Sequence, residues 1–178
     1  LNFAAVIADL LDEGLVPVIF DNSDDPVIQR NVQDYLRSSF GDRVHVLSEG
    51  GNIGLAAAYN RIVALAMADS DAEGVLFLDQ DSGVPRKSVA NLLTTYKRLK
   101  QDSRLRVGVL SGVAMRSDGL PYRLYPVAEG GDTVAGVHSV RMTPSSFSLI
   151  PTQALKVVGR FYDDFFIDHI DVDYCYRC

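Results

Sequence analysis

The chain has 178 residues, 47% hydrophobic and 22% charged, which suits one soluble globular domain with a sizeable core. A formal net charge of -6 supplies no basic surface to track phosphates and argues against nucleic-acid binding. No apolar run reaches the roughly eighteen residues of a membrane span, and no signal peptide is visible.

The predicted elements alternate. Phe3, Val6, Ile7, Leu10 and Leu11 recur at helical spacing, and Gly14 ends that first helix. Val16-Pro17-Val18-Ile19-Phe20 reads as a strand running into Asp21-Asn22-Ser23. A helix is expected from about Pro26, where proline is tolerated in the first turn, to about Phe40. Arg43 to Leu47 is a short strand leading to the loop Gly50-Gly51-Asn52-Ile53-Gly54. A helix from Leu55 to about Ala68 carries Leu55, Tyr59, Ile62, Val63 and Ala66 on one face. The apolar run Val75 to Leu78 forms a strand that ends at Asp79. A helix from Pro85 to about Lys100 and the strand Val107 to Leu110 follow. Met115 to Pro126 carries turns, Thr133 to Ile150 one or two longer strands, and Pro151 to Val158 a short helix ending at Gly159. Strands separated by helices predict an α/β domain with a mostly parallel sheet and right-handed crossovers. Ligands in such sheets sit outside the carboxyl ends of the strands.

Three polar clusters lie at those ends. Asp21 can accept hydrogen bonds from a nucleobase imide or a ribose hydroxyl, although Asp-Asn-Ser is also ordinary turn chemistry. The loop at Asn52 feeds a helix of small residues, where backbone can approach a ligand and the N-terminus favours phosphate charge. Asn60 is a polar residue further along that helix. The loop has neither a GxGxxG fingerprint nor a Walker lysine, so a nicotinamide or P-loop site is not expected. Asp79-Gln80-Asp81-Ser82 places two carboxylates one residue apart at a strand end. Hard cations such as Mg2+ or Mn2+ are bound by one or two carboxylates together with substrate phosphates. The plainer reading is an acidic turn that stops the strand. A fourth cluster, Asp163 to Arg177, sets carboxylates among Phe165, Phe166 and Ile167, where partial burial would make a better general base. His169 within it reads as structural more readily than as a ligand. Cys175 and Cys178 form a lone CxxC; a zinc site needs two more ligands, and two reduced cytosolic thiols are expected.

Taken in order, these segments resemble the family 2 glycosyltransferases of the GT-A fold, and within them the bacterial rhamnosyltransferase branch. The matching stretches are Phe20 to Ser23, Gly51 to Asn60, Phe77 to Ser82, and Gly159-Arg160-Phe161 through Phe165 to Arg177. Ser146-Phe147-Ser148-Leu149-Ile150 looks like the family's Ser-Gly-Ser-Leu-Ile strand, with Phe147 in place of glycine.

The resemblance implies a three-layer α/β/α nucleotide-diphospho-sugar transferase fold. It implies an inverting transfer from a nucleotide-diphosphate sugar (dTDP-rhamnose or a UDP-sugar) to a glycan or lipid-linked glycan acceptor. Asp21, with Asn22 beside it, matches the contact to the base. Asn52, Gly54 and Asn60 match the loop and helix lining the donor site. Asp79 matches the DxD residue near the ribose, Gln80 lies between the two carboxylates, and Asp81 matches the residue on the divalent cation (Mg2+ or Mn2+). Asp171 matches the catalytic base, supported by Asp173 and Arg177. Ile170 stands where many members have Glu. A nucleotide-binding half is expected over about residues 1–82 and an acceptor and catalytic half over about 83–178. The unit is expected to be truncated at both ends, with the family's first strand before Leu1 and a C-terminal region after Cys178. A cytoplasmic location at the inner membrane face is implied for the whole protein, through peripheral association. Two alternatives stand beside this reading. A haloacid-dehalogenase-like phosphatase would use Asp79 as nucleophile, Asp81 as acid and Asp163-Asp164 on a metal, although its DxD normally follows the first strand. A non-catalytic nucleotide-sugar binding fragment is the other.

Overall fold

A computed structural model describes residues 3–81, 83–85, 87–116, 118–122, 125, 133–134 and 136–178. Ser82 and Pro126, which belong to segments singled out above, lie outside them.

Helix α1 (Phe3–Asp12) is followed by strand β1 (Val18–Phe20) and helix α2 (Pro26–Phe40). Asp25 caps α2, its side chain accepting the Val27 N–H at 2.7 Å, and Pro26 sits in the first turn where no donor is needed. A 3₁₀ turn at Gly41–Arg43 takes up the start of the expected strand, so β2 is only His45–Leu47. β1 and β2 pair in parallel, with Ile19 opposite Val46. Ile7 of α1, Leu36 of α2 and Val44 bury together against this pair, joined by Ile19 and Val46.

Helix α3 (Leu55–Ala68) leads to β3 (Gly74–Phe77), and α4 (Ser88–Lys100) to β4 (Leu110–Ser111). α4 starts later than Pro85 because Lys87 takes a left-handed conformation, φ 70°, just before it. Two short pieces, β5 (Thr133–Val134) and β6 (Val137–His138), form an antiparallel hairpin. β7 (Ser148–Pro151) runs between β3 and β4, antiparallel to both, with Leu149 opposite Leu76 and Leu110. Helices α5 (Thr152–Val158) and α6 (Ile170–Arg177) complete the described elements. Of the mostly parallel sheet expected from alternation, the described strands form one parallel pair, β1 and β2, whereas β7 makes the β3–β7–β4 sheet antiparallel at each seam. The expected long strands over Thr133 to Ile150 reduce to these short ones.

The pleat of this sheet separates two cores. Val75, Phe77 and Ile150 bury with Tyr59 and Val63 of α3, Leu155 of α5, and Ile170 and Tyr174 of α6. Leu76 and Leu149 point the other way, to Leu92 and Leu99 of α4. Helices thus cover both faces of the sheet. Gly74 must be glycine for this seam to close, since a Cβ there would lie 2.8 Å from the Ile150 carbonyl. Among the described residues no helix is long and apolar enough to cross a membrane.

Candidate functional site

Parallel pairing carries Asp21 and the 48–54 loop to the same end of β1 and β2. There a ladder of side-chain acceptors holds the loop. The Asp24 carboxylate accepts the Asn52 N–H at 2.7 Å, Asn22 Oδ1 accepts the Ile53 N–H at 2.9 Å, and Asn52 Oδ1 accepts the Gly54 N–H at 3.0 Å. The next amide, Leu55 N–H at the start of α3, donates to the Phe166 carbonyl at 2.6 Å. Two residues on the β1 side, Asn22 and Asp24, one within the loop, Asn52, and one from the distant 161–169 segment therefore fix it. Asn22, Asn52 and Gly54 are drawn together, and Asp24, which no sequence motif singled out, joins them.

Asp21 is only 6% exposed. Its Oδ1 accepts the Ser23 N–H at 3.0 Å, while its Oδ2 is buried with no hydrogen-bond partner among the described residues. A buried carboxylate oxygen left open is costly unless something donates to it.

β3 ends at Phe77, so Asp79, Gln80 and Asp81 fall in the turn beyond it, all three exposed. Asp79 Oδ1 receives the Tyr59 hydroxyl of α3 at 3.4 Å. The Tyr59 oxygen also lies 3.3 Å from Ser145 Oγ. Since tyrosine has one proton and a carboxylate only accepts, Ser145 is the donor in that second contact. Burial raises the Tyr59 pKa well above the usual tyrosine range; the Ser145 hydrogen bond opposes the shift, and the charges of Asp79 and, more weakly, Asp171 add to it. One phenol thus senses both Asp79 and Asp171, which are far apart in sequence.

Asn60 is buried and fully engaged. Its amide donates to the Phe161 carbonyl at 2.9 Å and to Asp163 Oδ1 at 3.0 Å, and its oxygen accepts the Phe161 N–H at 2.9 Å. It pins the 161–163 segment to α3. His169 is exposed and left-handed, φ 67°, at the entry to α6.

Helix α6 was not assigned from sequence, although Asp171 and Asp173 in its first turn and Arg177 in its last are the charge signature of a helix. Its pitch separates the residues grouped there. Asp171 is half-buried and accepts the Val172 N–H at 2.8 Å. Asp173 lies two positions on, about 200° round the helix. It pairs instead with Arg177 at 2.7 Å, and Arg177 also donates to the Val158 carbonyl at 3.0 Å. Asp173 and Arg177 line a cleft of about 390 Å³ with Arg160, Phe161, Tyr162, Asp163 and Asp164. Asp171 is not among its walls.

No protein-family model matches the chain. It is similar over 99% of its length to the dTDP-rhamnosyl transferase RfbF of Shigella flexneri, 24% identical over 186 residues that make up 58% of that protein. It is also similar to the low-salt glycan biosynthesis hexosyltransferase Agl10 of Haloferax volcanii, 20% identical over 152 residues, 76% of this chain and 46% of that protein. The chain spans about half the length of these curated relatives. Both distant relatives are glycosyltransferases by name.

Among the described residues no group of three His, Cys, Asp or Glu side chains is placed to hold a metal ion. Asp163 accepts from Asn60 and Asp164 from Tyr162, and among the described residues no acidic group brings either of them together with Asp79 and Asp81, as the phosphatase alternative needs. What the DxD turn does offer is exposed hard carboxylate oxygen, which fits a cation held jointly with a diphosphate and not one caged by protein alone. Cys175 and Cys178 are free thiols. Burial and then neighbouring Cys175 push the Cys178 thiol up to about 11, with Arg177 opposing. Because the neutral form is favoured, iodoacetamide labelling of Cys178 at pH 8 is expected to run at least about tenfold below a peptide cysteine and to accelerate as pH rises towards 11. Cys178 is nonetheless exposed, and a rate equal to the peptide's would show that its neighbours do not keep the thiol neutral.

Proposed function

We propose that the chain is the donor-binding and catalytic part of an inverting, metal-dependent glycosyltransferase of the family 2, GT-A type. It would move a sugar, with rhamnose the first candidate, from a nucleotide diphosphate to a cell-surface glycan. The observations that carry this reading are the exposed Asp79–Asp81 turn at the end of β3, with Asp79 hydrogen-bonded by Tyr59, in a chain similar along its length to a dTDP-rhamnosyl transferase.

In this reading Asp21 receives the imide N–H of the base on its open Oδ2. Asp79 binds the ribose side of the donor, and the 50–54 loop, rigid through Asn22 and Asp24, shapes the wall beside it. Asp81 would hold a divalent cation together with the diphosphate; when bound, the cation supplies positive charge beside the leaving group. Asp171 accepts the proton of the acceptor hydroxyl as its oxygen attacks the anomeric carbon in line with the departing diphosphate. The Asp173–Arg177 pair braces α6 through Val158 and so sets where Asp171 stands. The acceptor is a growing glycan, and the full protein works at the cytoplasmic face of the membrane.

Calorimetric titration of dTDP, UDP and GDP, each with and without Mn2+, tests this directly. Mn2+-dependent binding of dTDP or UDP is expected, weakened at least about tenfold in Asp81→Ala, the scale of one lost charged contact. A folded chain that binds none of the three in the presence of Mn2+ overturns the proposal.

A further inference from the structure

Tyr59 faces the core of the molecule and touches its site at the same time. Its ring lies 4.2 Å from that of Phe77, the last residue of β3, and 5.3 Å from that of Phe161. The residue is 5% exposed, so its rotamer is set by packing and its oxygen has little freedom to move. That oxygen reaches Asp79, two residues beyond the strand, and Ser145, three residues before β7 begins. A core tyrosine needs somewhere to put its hydroxyl, and a backbone carbonyl would serve as well. Here the proton goes to an exposed carboxylate at the mouth of the sheet. An exposed aspartate in a turn would otherwise sample several rotamers, and each would have to be given up on binding.

We propose that Tyr59 is a positioning residue: its buried hydroxyl donates to Asp79 and holds the first carboxylate of the DxD turn in its ligand-binding orientation, with Ser145 supporting the phenol from behind. This rests on the donor-site reading above and adds to it a residue that touches neither donor nor acceptor. The same bond joins α3, which carries the 50–54 loop, to the turn after β3 and the approach to β7. Three segments that border the site therefore share one hydroxyl. Because burial keeps the phenol protonated far above neutral pH, the donor persists across the working range.

Tyr59→Phe keeps the ring and removes only the oxygen, so the contacts to Phe77 and Phe161 survive. Its effect should therefore run through Asp79. Mn2+-dependent dTDP affinity is expected to fall about three- to tenfold in Tyr59→Phe, the worth of one hydrogen bond. Added to Asp79→Ala, the same change should cost less than twofold further. Equal losses in both backgrounds would mean that Tyr59 acts through general packing, and would overturn the proposal. A parallel cycle on urea unfolding needs no ligand. Tyr59→Phe should lower the midpoint more in the wild-type background than beside Asp79→Ala, and additive shifts would again overturn the role. If the wild-type chain binds no dTDP while the unfolding cycle still couples, the donor-site reading fails and the Tyr59–Asp79 link stands.

Discussion

Asn60→Ala is expected to remove about 3 kcal/mol or more of folding stability, a large share of the 5–15 kcal/mol typical of a domain. The side chain makes three hydrogen bonds, and two of its partners are the N–H and carbonyl of Phe161. Phe161 is 1% exposed, so water cannot replace what the amide provides. Each buried backbone group left without a partner costs roughly 1–3 kcal/mol. Asn60→Asp keeps the acceptor for Phe161 N–H but loses both donors and sets a carboxylate against Asp163, so it should be nearly as damaging. Urea denaturation followed by far-ultraviolet dichroism measures both variants. A midpoint within error of wild type for Asn60→Ala would show that this clamp does not form. Dichroism of the folded variant should keep α3, because the clamp holds the 161–163 segment and not the helix itself.

Gly54→Ala is the second large effect, expected at about 3 kcal/mol from two independent causes. Gly54 has φ 84° and ψ 160°, a region that only glycine enters readily, and forcing another residue there costs about 1–3 kcal/mol. A Cβ would also lie 2.8 Å from the Phe166 ring and 2.9 Å from the Phe166 carbonyl oxygen. That carbonyl accepts the Leu55 N–H, so relief of the clash must lift Phe166 away from the start of α3. Hydrogen exchange reads this site specifically. The Leu55 amide should exchange at least about tenfold faster in Gly54→Ala, since 1.4 kcal/mol already gives that factor. Native protection at Leu55 together with an unchanged melting temperature would refute the docking of Phe166 on α3. Nucleotide affinity should fall as well, because the loop ladder ends at this residue.

Phe147 illustrates a sequence departure that the structure explains. It occupies a left-handed backbone, φ 55°, at the position where the resembled family carries glycine. A bulky residue there is strained by roughly 1–2 kcal/mol. Its ring is seated against Gly112, where a Cβ would come within 2.7 Å, and it packs on the Leu92–Leu149 core. Contact energy offsets the backbone cost, and the strain sits two residues from Ser145.

Local chemistry made much of the chain readable. α2 falls where its first-turn proline puts it and α3 where its apolar face does, since a helix is decided by residues within a turn or two of each other. The carboxylates after β1 and β3 were legible for the same reason: an apolar run that stops at Asp marks a strand end. α6 was missed because eight residues with carboxylates between aromatics carry little periodic signal. β7 is only four residues long and buried throughout, so no alternating pattern reveals that it inserts antiparallel between β3 and β4. Tyr59 read as core from its helical face, and only its hydroxyl's reach to Asp79, 20 residues on, and to Ser145, 86 residues on, gives it a second part. Asn60 bonds to Asp163 across 103 residues, which turns a polar helix residue expected to line the donor site into a clamp. The alternation of elements, the cluster types and their order along the chain are written in local residue patterns. Tertiary structure alone decided which clusters meet and which face of α6 each acidic residue takes, because those choices depend on pairings between segments that share no local pattern.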